Sequence, residues 1–255
     1  MKTIPSLAIV LTCIRILSPG YAGDAVSRNY VGFVRVELPP AGGRVFTSAN
    51  FRGLNGTSLK LTSVFGSQPW IRDELYARAD KIYIWNMQTG DYDRYAQKPS
   101  VAYYAQQDWL SVNPVDPVLS NGVGIWLQSS PVATNARSMY IAGEVVSNDL
   151  ASRVMSPGYQ AVGAFFSSDV IMTHTDWLAA GAVGNNMATH ADQLVVWAGG
   201  DFERYGLAAN GNWYAWTNWI TQGGPPVERI ITMGRGAWYL SMAHAPWTWM
   251  EPRPY

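Results

Sequence analysis

The stretch Asp91-Tyr92-Asp93-Arg94-Tyr95 returns 110 positions later as Asp201-Phe202-Glu203-Arg204-Tyr205. At the same spacing Tyr103-Tyr104-Ala105 meets Trp213-Tyr214-Ala215, and Asp108-Trp109-Leu110 meets Asn218-Trp219-Ile220. A spacing of 112 carries the match outward on both sides. Ala79-Asp80-Lys81-Ile82-Tyr83-Ile84-Trp85 aligns with Ala191-Asp192-Gln193-Leu194-Val195-Val196-Trp197, and Gly122-Val123-Gly124-Ile125-Trp126 with Gly234-Arg235-Gly236-Ala237-Trp238. Further upstream, residues 43–51 fit 158–166 more loosely. Self-similarity at a fixed period is the signature of a duplicated structural unit. It predicts two copies that meet within residues 144–155, giving units over 23–147 and 148–255 behind a leader at 1–22.

Each unit reads as β. Residues 31–38, 44–51, 81–85, 92–96, 124–128 and 139–146 are short runs rich in Val, Ile, Tyr and Trp. They are separated by Pro-Pro, Gly-Gly, Thr-Gly-Asp and Asn-Gly, the residues that turn a chain. Only 59–65 and 176–183 have the length and pattern for a helical turn or two. The expected fold class is therefore all-β: two tandem, homologous small β-sandwich or barrel units with short helical turns.

The order of elements adds a resemblance. A strand with a Gly-rich turn leads through a connector to an Ala-Asp-x-aliphatic-x-aliphatic-Trp strand. An acidic-aromatic strand follows, then Gly-x-Gly-x-Trp and a final strand. This order resembles a tandem β-repeat of uncharacterised secreted proteins in planctomycete and verrucomicrobial bacteria. Its motifs are short and structural, and cover nearly all of the chain after residue 22. Gly122 to Trp126 with Gly143-Glu144-Val145, and Gly234 to Trp238, stand where that family has Gly-Gln-Gly-aromatic and Gly-Glu-Val segments. Val123 and Arg235 replace the usual Gln, and no Gly-Glu-Val follows in the second unit. The resemblance implies a secreted β-repeat protein and brings no activity with it.

The N-terminus points to the same compartment. Lys2 precedes an apolar stretch from Ile4 to Ile14, and small residues Gly20 and Ala22 occupy the −3 and −1 positions of a cleavage site. That is a secretory signal cut near Ala22, interrupted only by Arg15. Cys13, the single cysteine, lies inside it, so the mature chain is expected to hold no disulfide, thiolate metal site or cysteine nucleophile. No later run is long enough to anchor the chain in a membrane.

Composition narrows the function classes. Of 255 residues, 48% are hydrophobic, 13% aromatic and only 14% charged, and the charges cancel. A neutral balance removes the electrostatic case for nucleic acid, and the aromatic content excludes disorder. Few charges and many aromatics make self-association or a surface partner plausible.

No motif spells out a reaction. The two Gly-x-Gly motifs precede a Trp-bearing strand rather than a helix, so they are read as relief of crowding and not as a nucleotide loop. Asp91 and Asp93, like Asp201 and Glu203, share a strand face beside Arg94 and Arg204 and read as a solvated face. His174, His190 and His244 are too far apart in sequence for a metal pair. No catalytic residue, metal or cofactor is assigned.

The tryptophans carry the remaining clue. Trp85 with Trp197, Trp109 with Trp219 and Trp126 with Trp238 occupy matched places and are expected in the core. Trp213, Trp216, Trp247 and Trp249 are confined to the second unit. With Asn212 and Asn218, they form a candidate surface for stacking on sugar rings. Three functions follow. The leading one is a secreted, non-enzymatic β-repeat protein with a structural or interaction role at the cell surface, envelope or extracellular matrix. The second is a glycan-binding module using the tryptophans of the second unit, and the third is a hydrolase with a scattered site.

Overall fold

A computed structural model describes residues 31–198, 200–218 and 224–254. The expected signal segment, Cys13 and Trp219 lie outside these. Alternating patterning becomes strands throughout. The first half contributes β1 (Val31–Leu38), β2 (Arg44–Ala49), β3 (Phe51–Arg52), β4 (Leu59–Lys60), α1 (Leu61–Phe65), β5 (Lys81–Asn86), β6 (Asp91–Gln97), β7 (Tyr103–Ala105), β8 (Val118–Leu119), β9 (Val123–Gln128) and β10 (Arg137–Val145). The second contributes β11 (Leu150–Met155), β12 (Gly158–Val162), α2 (Trp177–Ala180), β13 (Gln193–Trp197), β14 (Phe202–Leu207), β15 (Trp213–Ala215), β16 (Ala237–Ser241) and β17 (Trp247–Pro252). The fold is all-β with a few helical turns. The expected strands agree with these to within two residues, except that 44–51 breaks at Asn50 into two pieces.

One ten-stranded antiparallel sheet organises the molecule. Its order is β15-β14-β13-β16-β12-β9-β5-β6-β7, with β2 also paired to β9. In the first half β7-β6-β5-β9-β2 are successive neighbours, and in the second β15-β14-β13-β16-β12. The two runs meet where Val162 of β12 pairs Val123 of β9, and Thr47 of β2 bridges Arg235 just before β16. The sheet is thus continuous across the boundary expected at 147, and two separate sandwiches are not what the backbone forms.

The cores stay apart. One hydrophobic cluster draws its buried residues from 34–141 and is covered by a second layer, β1-β10-β3. The other draws from 146–249 and lies under β11-β17. In β1 the alternation is plain: Val34, Val36 and Leu38 are buried, while Val31, Phe33, Arg35 and Glu37 are exposed. Shorter signals also hold. Asp176 caps α2 by accepting from the Ala179 amide at 3.1 Å, and Gly181 ends it at φ 114°.

The Gly-x-Gly motifs sit where the halves cross. A Cβ on Gly236 would collide with the Thr47 carbonyl oxygen, and one on Gly124 would crowd the Val162 carbonyl oxygen. Backbones therefore approach across the seam as no side chain would permit. Asn50 and Arg153, caught there, find partners, as burial favours. The Asn50 amide donates to the Ala164 carbonyl at 2.6 Å and accepts from Ser48 and the Gly234 amide. Arg153 donates to the carbonyls of Gly122 and Ala161 at 2.9 and 3.1 Å.

Candidate ligand-binding face

Strand alternation decides which side chains meet solvent on the large sheet. In β5, Ile82 and Ile84 pack into the core, so Tyr83 and Trp85 point the other way. In β9, Ile125 and Leu127 are inside and Trp126 outside. In β13, Leu194 and Val196 are inside and Trp197 outside; in β16, Ala237 and Tyr239 are inside and Trp238 outside. The matched tryptophans expected in the core are therefore half-buried on the opposite face. Trp109 alone of the described matched residues is buried as expected, in a small cluster with Ala79, Ala96 and Tyr104.

These four rings meet across the seam in reciprocal pairs. Trp85 of the first half stands edge-on to Trp238 of the second at 4.9 Å and 90°, and Trp126 meets Trp197 at 5.7 Å and 68°. Phe46 stacks on Trp126 at 4.7 Å and 8° and reaches Trp238 at 5.7 Å. Tyr92 packs on Trp85 and Phe202 on Trp197. Such ring pairs are each worth about 0.5–1.5 kcal/mol beyond area burial, which explains a stable aromatic belt outside either core.

A cleft of about 780 Å³ opens along this belt, walled by Tyr83, Tyr92, Trp126, Trp197, Phe202 and Trp238. Arg44, Arg94, Asp91 and Gln106 add polar groups to its lining. The Arg44 guanidinium lies over the Tyr83 ring, 5.7 Å from its centre, and Arg94 pairs with Asp91 at 3.2 Å. The Tyr83 hydroxyl donates to Gln128. Burial raises the Tyr83 phenol against the opposing pull of Arg44 and Arg94, and pushes that of Tyr92 up to about 12. Both hydroxyls therefore stay protonated at neutral pH and can donate hydrogen bonds. A smaller cleft of about 250 Å³ lies in the second half, lined by Trp85, Tyr159, Gln193, Val195 and Arg204 and sharing Phe202 and Trp238 with the first. Tyr159 and Val195 occupy the sequence positions that match Arg44 and Tyr83.

The residues singled out from sequence for sugar stacking are not brought together. Trp213, Trp247 and Trp249 are buried around Trp177, at ring distances of 5.4, 6.2 and 5.3 Å. Rings enclosed by a core have no face to offer a ligand, so these three are packing residues. Trp216 is half-buried in a shallow cleft with Phe202, Arg204 and Tyr205. Asn212 follows a turn in which its amide donates to Asn210, and Asn218 ends the 3-10 turn Trp216–Asn218. Parity separates each outer Trp from its preceding neighbour, Ile84, Ile125, Val196 or Ala237, but neither parity nor matched position says which side is core.

The other candidates hold no chemistry together. His174, His190 and His244 are exposed, and no group of three His, Cys, Asp or Glu able to hold a metal ion occurs among the described residues. Asp91 is exposed, and the half-buried Asp93 accepts from Asn86. Glu203 accepts from the Tyr205 hydroxyl at 2.8 Å. Three carboxylates are buried instead. Asp80 is held by Arg137 in a two-point ion pair and by the amides of Ile71 and Ser130. Asp192 accepts from the Tyr239 hydroxyl at 2.7 Å and the Met242 amide at 2.6 Å, and burial still raises its carboxyl above the ordinary range. Burial pushes Glu251 up to about 7, with only the Phe165 amide opposing it. None of the three lines either aromatic cleft. Among the described residues no helix is long and apolar enough to cross a membrane.

The class defined so far is an all-β protein with an aromatic, partly charged cleft on an open sheet face. Comparison with protein families, curated proteins and solved structures finds no match to this chain.

Proposed function

We propose that this is a secreted, non-enzymatic β-repeat protein that works by binding outside the cell, with the aromatic sheet face as its binding surface and a glycan as its ligand. The observation that carries this is the row of half-buried tryptophans on the side of the sheet away from both cores. A core packs its largest rings inside. A surface that keeps four of them half in water, rimmed by Arg, Asp, Gln and two phenols, has the composition of a site for ring-shaped ligands that carry hydroxyls.

The repeat reading belongs to the same proposal. It is supported by the sequence match, by the like order of pairing in the two halves, and by cores that divide between 141 and 146. Export is supported by the signal-like residues 1–22. Exposed Val31, Phe33 and Tyr140 on the outer layer offer a place for self-association or for a surface partner.

A glycan array tests the binding reading. Trp126→Ala and Trp197→Ala are expected to abolish binding of the sugars found, while Trp216→Ala weakens it less. An array without any hit, or hits indifferent to both cleft variants in a folded protein, would refute it.

A further inference from the structure

The larger cleft does not end at the tryptophans. Arg44 and Trp197 also line an adjoining groove of about 700 Å³ that runs between the halves, with Phe46 in its wall. That groove passes β1 on one side and the Met233-Gly234-Arg235 turn on the other. Ionised groups along the combined path are Arg35, Arg44, Arg94 and Arg235 against Glu37 and Asp91. Arg35 is paired to Glu37 and Arg94 to Asp91. Arg44 and Arg235 form no ion pair among the described residues, and both are exposed. On a chain whose charges sum to zero, the path thus concentrates two uncompensated guanidinium groups beside its largest aromatic surface.

The two features select one chemistry. Indole faces take the C–H face of a pyranose ring, and a guanidinium takes a carboxylate through two parallel hydrogen bonds. We infer that the cleft and groove together bind an acidic polysaccharide, with sugar rings on Trp126, Trp197 and Trp238 and uronate carboxylates on Arg44 and Arg235. This rests on the glycan reading above and adds the charge of the ligand. The smaller cleft has Tyr159 and Val195 where the first has Arg44 and Tyr83, and its one cation is the exposed Arg204.

Oligogalacturonate and its methyl ester form the matched pair of probes, since esterification removes the charge and leaves the chain. Isothermal titration is expected to give about tenfold tighter binding of the acid at low ionic strength, equivalent to roughly 1.4 kcal/mol. The gap should narrow in high salt, because the exposed arginines are screened. Arg44→Gln and Arg235→Gln should each weaken the acid several-fold and leave the ester alone, while Trp197→Ala weakens both. Equal binding of acid and ester, lost in Trp197→Ala, overturns the acid preference and leaves the glycan reading standing. Binding of neither these probes nor any arrayed glycan removes both. Equal binding of polyglutamate or dextran sulfate, unchanged in Trp197→Ala, would assign the arginines to general polyanion attraction and overturn the proposal.

Discussion

Asp80 in the first half and Asp192 in the second each follow an alanine at the entrance to a strand, and both are buried. Each ties that entrance to the chain leaving the neighbouring strand, Asp80 through the Ser130 amide and Asp192 through the Met242 amide, both at 2.6 Å. Beyond that they differ. Arg137 neutralises Asp80, whereas Asp192 meets the Tyr239 hydroxyl and backbone amides but no cation. The cores differ in their largest rings. The first holds Trp70 with Phe51, Phe65 and Tyr103, while the second holds Trp177, Trp213, Trp247 and Trp249 with Tyr239. What the halves hold in common is the backbone connection and the outer tryptophans. What differs is the means of filling and neutralising the interior, which a strand ladder tolerates so long as volume and hydrogen bonds are satisfied.

Four measurements break or sharpen this comparison. The largest effect is expected from the second core: Trp249→Ala should destabilise by about 3–5 kcal/mol in chemical denaturation, as large aromatic truncations do. Trp85→Ala, on the outer face, should lose only about 1–2 kcal/mol, the worth of a few ring contacts and partial burial. Near-equal losses would mean the outer belt is core after all.

Arg137→Met comes next. It strands the buried Asp80 carboxylate, and about 3 kcal/mol is expected, at the low end for a broken buried pair because the Arg137 side chain keeps 16% exposure. Asp192→Asn, which removes a carboxylate with no cation beside it, should lose less than half of that; the reverse order would contradict the assigned roles.

The pH dependence follows from Glu251 and Asp192, whose carboxyls are raised by burial. A raised carboxyl keeps its proton in the folded state after the unfolded chain has lost it. Folding is then favoured at low pH, and stability falls as pH rises from the ordinary Glu range through about 7 for Glu251. The fall attributable to Glu251 is on the order of 3 kcal/mol, and Glu251→Gln should flatten the profile between those limits. A variant profile as steep as the parent's would exclude Glu251 as the cause.

The smallest effect is expected from Tyr239→Phe, about 1 kcal/mol for a single hydrogen bond. Since that hydroxyl holds the Asp192 carboxyl down, its loss should raise the carboxyl further and steepen the decline with pH. A flatter profile would contradict the bond.

The strands were legible because they are written locally. Alternation from Val31 to Leu38, the Thr-Gly turn before Asp91 and the short helical turn within 176–183 each act over a few residues, and each formed where read. The site was less legible. Trp213, Trp247 and Trp249 drew attention because they lack a Trp partner in the other half, yet they are unmatched because the second core is built differently. Trp85, Trp126, Trp197 and Trp238 were assigned to the core because they match, yet matching reports a shared position and not a shared side.

The sequence by itself determined the all-β class, the strand limits, and the pairs of residues that stand in corresponding places. Only the tertiary structure decided which face of the large sheet is dry. That choice is made by β1-β10-β3 and β11-β17, whose partners lie as far apart in the chain as Val31 and Glu144 or Leu150 and Pro252. A period of two places successive side chains on opposite faces but leaves both faces equivalent until a second layer covers one. The uncovered face kept its tryptophans, and the pairing of β12 with β9 and of Thr47 with Arg235 brought those of one half against those of the other.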